Sequence, residues 1–248
     1  MNKNTRVAVC CYGGDAHQVI KSLGAYLHHE CPVVILSPTD CPADIRYPGV
    51  ENRFAGKRAY IGQESLDRQR LHLELLLTFP EEYFLVHDAD SVCLSPEIPS
   101  YLYANLGPLL WSNVVEDGIP GRESAYPAGY PKIAFQPPYF MARQTIKKLL
   151  TGTEAVRANP TLPFIDHVML QWAMESECPW KTFQDGVSCP FSSDAPSRQL
   201  VFEAVRERGI IFIHSVKDEP GMKQLFQARQ EYLRSHPKRL TNEINGNL

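Results

Sequence analysis

The chain has 248 residues, 44% hydrophobic and 21% charged, with a formal net charge of -3 at pH 7. That is enough apolar material for one large buried core, or two small ones, which argues against disorder, and so small a charge gives no global attraction to nucleic acid or an anionic membrane, although it leaves room for a local basic groove. The seven cysteines (Cys10, Cys11, Cys31, Cys41, Cys93, Cys178, Cys189) form an odd set without a Cys-x-x-Cys pair, which argues against a disulfide framework or zinc ribbon and fits a reducing compartment.

The opening MNKNTRVAVCCYGG carries too short an apolar run for a signal peptide. No stretch approaches the roughly 20 apolar residues of a membrane span, so a soluble cytoplasmic protein is the expectation. RVAVCCY (6–12) reads as a strand ending in Gly13-Gly14-Asp15, and AHQVIKSLGAYLHHE (16–30) follows with helical spacing. PVVILSPTD (32–40) supplies a second strand, so the first forty residues predict a β-α-β unit with a parallel pair. Residues 42–62 are irregular, with a basic GKR at 56–58, and 64–79 predict a helix stopped by Pro80. Strand EYFLVH (82–87) leads into two aspartates, then PEIPSYLYANL and a strand near 108–115.

Residues 116–138 are rich in Gly and Pro and read as a functional loop. Helical spacing returns over 142–150, 164–175 and 196–209, the last with Gly209 as C-cap, and IIFIHSVKD (210–218) reads as a late strand broken by a histidine. A helix at 222–235 and a frayed polar end complete the chain. Strand alternating with helix predicts an α/β fold. One domain is expected over 1–248, with halves of about 1–115 and 116–218 and a C-terminal helix and tail over 219–248.

The stretch YFLVHDADSVCL (83–94) carries the chemistry. In a parallel sheet, ligands collect at the carboxyl ends of the strands, where Asp88 and Asp90 fall. Alternation puts both on one side of an extended turn, so their carboxylates can share a hard divalent cation, one of them directly. Mg²⁺ or Mn²⁺ held this way completes its shell with substrate phosphates. Chance also writes Asp-x-Asp, but two like charges emerging from YFLV cost stability unless a cation compensates. His87 turns to the opposite face and reads as a supporting or structural histidine rather than a ligand.

An apolar strand ending in Asp-Ala-Asp, preceded by a helix with arginines and a leucine run and followed by another strand, resembles the nucleotide-sugar glycosyltransferases of the GT-A fold. The resemblance spans about residues 5–218 and lies toward the glycogenin and galactosyltransferase branch. It implies a single Rossmann-like domain whose mostly parallel central sheet is flanked by helices, with Asp88 and Asp90 holding Mn²⁺ or Mg²⁺ against the donor diphosphate. CCYGGDA is similar to the segment that holds the nucleobase and ribose there, which makes Tyr12, Gly13 and Asp15 candidates; an ordinary β-α turn explains them equally. FIDHVMLQ is similar to an acidic helix start that faces sugar or acceptor and gives Asp166, although His167 and Val168 depart from the pattern. IFIHSVKD is similar to the strand whose histidine completes the metal shell and whose lysine touches the diphosphate, which gives His214 and Lys217. Arg68 or Arg70, in the helix before the motif, is implied at the diphosphate, and Lys57 and Arg58 offer the same chemistry.

The implied reaction moves a sugar from a nucleoside diphosphate sugar, a UDP-sugar foremost, to a hydroxyl on a saccharide, a protein or a modified DNA base. Asp166, Asp117 and Glu116 are candidate bases, and Tyr126 and Tyr130 with the PPYF segment candidate acceptor walls. Two other readings stay open. FLVHDADSV also resembles the first motif of haloacid dehalogenase-like phosphatases, where the aspartates serve as nucleophile and acid; a non-catalytic nucleotide-sugar-binding module would keep the same fold.

Overall fold

The computed structural model describes residues 4–20, 23, 31–59, 62–94, 100–103, 107–116, 126, 128–153, 155–156, 165–183, 188–190, 195–214 and 216–237. Strands β1 (Thr5–Cys10), β2 (Val33–Ser37) and β3 (Val50–Phe54) come first, then helix α1 (Gly62–Leu76) and strands β4 (Tyr83–Asp88) and β5 (Val92–Cys93). The short helix α2 (Ser100–Tyr103) precedes β6 (Leu110–Glu116), β7 (Ile133–Ala142), α3 (Arg143–Thr151) and α4 (Ile165–Glu175). Strands β8 (Trp180–Thr182) and β9 (Ser188–Pro190), helix α5 (Ala195–Arg208), strand β10 (Phe212–His214) and helix α6 (Glu219–Ser235) complete the order.

The architecture is the expected α/β: a seven-stranded sheet of order β3-β2-β1-β4-β7-β6-β8, beside a three-stranded sheet of order β5-β10-β9. The large sheet is mostly parallel. β3, β2, β1 and β4 pair in parallel, as do β6 and β8, whereas β7 runs antiparallel to both β4 and β6.

Side-chain alternation explains why these runs are apolar throughout. Val7, Val9, Val33, Ile35, Tyr83 and Leu85 pack on one face, and Ala8, Val34, Leu36, Phe84 and Val86 on the other, so both faces are covered and each strand is buried along its length. Helix α1 covers the second face. Its Leu66, Leu73 and Leu76 join that core, at the spacing that stacks side chains on one side of a helix.

Strand β7 corrects the sequence reading. Ten residues, Ile133–Ala142, form a strand where a loop running to 138 was expected. Pro137 and Pro138 hid it: they supply no N–H, and the ladder with β6 shifts register between Trp111 and Asn113, opposite the prolines. Ser112 spans the gap by donating its hydroxyl to Gln136 O at 2.8 Å. Strand β3 was missed for another reason. At the sheet's edge it is only partly buried, so VENRF lacks the apolar run of its neighbours.

The C-terminal part has its own core, in which Val92, Ile213 and Val216 meet Val205 of α5 and Leu225 and Ala228 of α6. Gly209 ends α5 as expected, at φ +67°, and a side chain there would strike the Tyr232 ring. The carboxylate of Asp218 caps α6 by accepting from Gly221 N at 2.7 Å. The helix expected over 16–30 is seen at 16–20 and 23; its other residues, like most of the loop expected from 116, lie outside the described residues. Among the described residues, no helix is long and apolar enough to cross a membrane.

Candidate functional site

β1 and β4 end side by side, with Cys10 opposite Asp88 in the parallel register. The chain turns immediately after Asp88: Ser91 N donates back to Asp88 O at 3.0 Å, so Ala89 and Asp90 sit at the tip. The His87 imidazole reinforces this turn, with Nδ1 at 2.9 Å from Asp88 O. A carbonyl only accepts, so Nδ1 carries the hydrogen. His87 therefore supports the motif from the opposite face, buried near the Phe212 ring at 6.4 Å.

The small sheet brings His214 to the turn. Antiparallel pairing sets Phe212 against Cys93 and Ile213 against Val92, and Val216 N donates to Asp90 O at 2.8 Å. One ligand atom from each of Asp88, Asp90 and His214 lies within 4.8 Å of the other two. Two carboxylates and one imidazole form a mixed oxygen and nitrogen set of the kind that can hold a divalent cation. Burial lowers the His214 pKa, opposed by the charge of Asp90 and assisted by Lys217. The ring is thus neutral near pH 7, as a metal ligand must be.

Beside this cluster lies a cavity of about 350 Å³ at the strand ends. Tyr12, Asp15, Arg68, Asp88, Asp90 and Lys217, inferred from separate stretches of sequence, all line it. Arg68 is buried and donates to Tyr12 Oη and Ala59 O. Both partners are neutral. A buried guanidinium with neutral partners, facing a cavity, has the chemistry to take an anion. Arg58 and Arg68 each approach the Tyr12 ring, at 5.2 and 5.3 Å from its centroid, which concentrates positive charge there.

Other expected residues fall elsewhere. Arg70 does not line the cavity, and its Nε pairs with Glu74 one turn on, at 3.5 Å. Gly13 is explained by packing: a Cβ there would lie 2.7 Å from Pro42 O. Tyr126 is buried in the core rather than forming an open wall, and Tyr130 Oη donates to Glu175. Lys57 is exposed. Asp166 is the second residue of α4, but its side chain, that of Glu116 and the whole of Asp117 lie outside the described residues.

Sequence reasoning missed Gln69, His72, Tyr139 and the thiol-bearing wall of Cys10 and Cys11. Burial pushes the Cys10 thiol up to about 12, with Asp88 adding to the shift, and the Cys11 thiol also up to about 12, assisted by Asp15. Neither is a thiolate near pH 7, so neither supplies a nucleophile. Cys10, Cys11, Cys31, Cys41, Cys93 and Cys178 are free thiols. Burial pushes His72 down to about 3, with Arg68 adding to the shift.

No protein-family model matches the chain, and no curated protein does. Among solved structures, it is similar to the galactosyltransferase LgtC, determined in complex with donor and acceptor sugar analogs. The two share 10% sequence identity with a TM-score of 0.53 over 90% of this chain and 95% of that one. The likeness defines the class of fold: a GT-A, Rossmann-like α/β domain.

Proposed function

We propose that this protein is a divalent-cation-dependent glycosyltransferase that takes a nucleoside diphosphate sugar, a UDP-sugar foremost, and moves the sugar to an acceptor hydroxyl. The convergence of Asp88, Asp90 and His214, with both aspartates lining a cavity that Arg68 and Lys217 also line, carries this reading. Two carboxylates alone would repel a diphosphate; with a shared cation and two basic side chains beside them, they attract one.

When bound, Mn²⁺ or Mg²⁺ supplies Lewis-acid stabilisation of the departing diphosphate. The chain's own residues provide the rest. Asp88, Asp90 and His214 hold the cation at the strand ends. Arg68, fixed by Tyr12 and Ala59, presents its guanidinium to diphosphate oxygens, and Lys217 does so from the segment that follows β10. Tyr12 and Asp15 line the nucleoside end. In an inverting reaction Asp166, at the start of α4, would take the acceptor proton.

The phosphatase reading has less support. Its nucleophilic aspartate belongs on a first strand, whereas Asp88 ends the fourth in chain order, and the third group beside it is a histidine. The test is a panel of nucleotide sugars with Mn²⁺, followed by product analysis. Cation-dependent turnover of at least one donor, lost in Asp90→Ala and on chelation, is expected. Tight donor binding with no turnover would identify a binding module, and phosphate release from simple phosphoesters would identify the phosphatase.

A further inference from the structure

We infer that Ser91 is a positioning residue for His214, its hydroxyl accepting the Nδ1 hydrogen so that the bare Nε2 faces Asp88 and Asp90. The inference rests on the cation-site reading above and concerns how this chain prepares the histidine.

Ser91 is fully buried, and its Oγ lies 3.2 Å from His214 Nδ1 across 123 residues of sequence. Neither partner is at liberty to drift. The Ser91 backbone closes the Asp88 turn, the next residue pairs with Ile213, and Val216 N holds Asp90 O on the far side of His214. The hydroxyl is therefore delivered to one ring nitrogen by backbone geometry. With Nδ1 engaged, Nε2 is the nitrogen left for the shared ligand position.

The residue type matters as well as the place. A metal-ligating imidazole needs its other nitrogen protonated and held, which fixes the tautomer and the ring angle and raises the basicity of the ligating nitrogen. A serine hydroxyl can also donate. It thus serves the opposite tautomer in the cation-free protein, where Nε2–H can face a carboxylate, and it follows the ring when a cation takes Nε2. A carbonyl in the same place would enforce one tautomer in both states.

The test is calorimetric titration of the full-length protein with Mn²⁺ alone, comparing wild type with Ser91→Ala. The Kd is expected to rise about 10- to 100-fold in a variant that still folds without cation, with at most a modest fall in melting temperature from the lost hydrogen bond. A lowered melting temperature with an unchanged Kd would assign Ser91 a structural role only and overturn the inference. Nitrogen-15 spectra of wild type saturated with Mg²⁺ decide the matter even if the variant does not fold. An Nδ1–H tautomer at His214 is expected, and a persistent Nε2–H would overturn the inference. Absence of Mn²⁺ binding by wild type would overturn the cation site itself; binding by wild type, with Ser91→Ala unchanged, would overturn only the role of Ser91.

Discussion

Near the start of β1, Arg6 donates through Nε and a terminal guanidinium nitrogen to the two carboxylate oxygens of Glu81 just ahead of β4, each at 2.9 Å. It also reaches Glu51 at 3.4 Å and lies over the Phe79 ring at 4.1 Å from its centroid. Where the same two strands end, Asp88 and Asp90 meet His214 within 4.8 Å, beside a cavity lined by Arg68 and Lys217. The first end closes its charges on one another; the second sets carboxylates, a histidine and basic side chains around a space. Charge at the edge of an apolar sheet is a structural element when it is matched internally. It is a candidate site when it gathers ligand-type side chains at the edge of a cavity.

Glu81→Ala should separate the two ends most strongly. It leaves the buried Arg6 guanidinium without its bidentate partner, so stability should fall by about 3–5 kcal/mol, read as a shifted urea midpoint. The Mn²⁺ Kd of the folded fraction should not change. A loss of cation binding in step with stability would merge the two ends and contradict the distinction.

Arg68→Ala comes next. It removes charge-assisted hydrogen bonds to a bound diphosphate, worth about 1.5–3 kcal/mol, so nucleotide-sugar affinity should weaken roughly 10- to 100-fold. Arg70→Ala serves as the control and should stay near wild type, because Arg70 pairs with Glu74. Equal losses in both would place the anion outside this cavity.

Acid sharpens the contrast further. His72 is neutral when folded, with its pKa pushed from 6.5 to about 3, so the unfolded chain binds the extra proton. The stability this contributes is complete above about pH 6.5 and is lost as pH falls toward the folded value, by about 2 kcal/mol at pH 5. Glu81 behaves differently. Burial would raise its carboxyl, but hydrogen bonding to Arg6 holds it below 4.5, so its contribution persists above that value and fails only as pH falls through the lower folded one. Urea midpoints between pH 7.5 and 5 should therefore decline in wild type and decline less steeply in His72→Gln, with cation absent, the remaining slope coming in part from His87, which burial pushes down to about 4. An unchanged slope in the variant would contradict the assignment.

The smallest effect is the most telling about the cavity end. Asp90→Ala, without cation, removes one of two neighbouring carboxylates and should leave the urea midpoint within about 0.5 kcal/mol of wild type, or raise it slightly. A loss of several kcal/mol would make Asp90 a structural residue of the same kind as Glu81.

Much of this was legible because the relevant strands are apolar from end to end and the chemistry begins where the apolar run stops. YFLVHDAD announced β4, the face of each side chain and the turn beyond. IFIHSVKD announced β10 and its histidine. The pairing between these stretches was not written locally, since it depends on β5, a strand of two residues. The choice between Arg68 and Arg70 was open in principle. Arg68 lies four residues before His72 on the buried side of α1, whereas Glu74 follows Arg70 by the four residues typical of an exposed helical pair. The Ser91 contact and the cavity wall formed by Gln69 and Tyr139 carry no sequence signal of their own, because each arises from packing between distant elements.

The central claim is that Asp88, Asp90 and His214 together hold a divalent cation against a donor diphosphate. It is tested most directly by calorimetric titration of wild type, Asp90→Ala and His214→Ala with Mn²⁺, each with and without a UDP-sugar. The account predicts a single Mn²⁺ site in wild type that tightens when donor is present, and loss of that coupling in both variants while they remain folded. Mn²⁺ binding that is indifferent to donor, or that survives both substitutions, would contradict it.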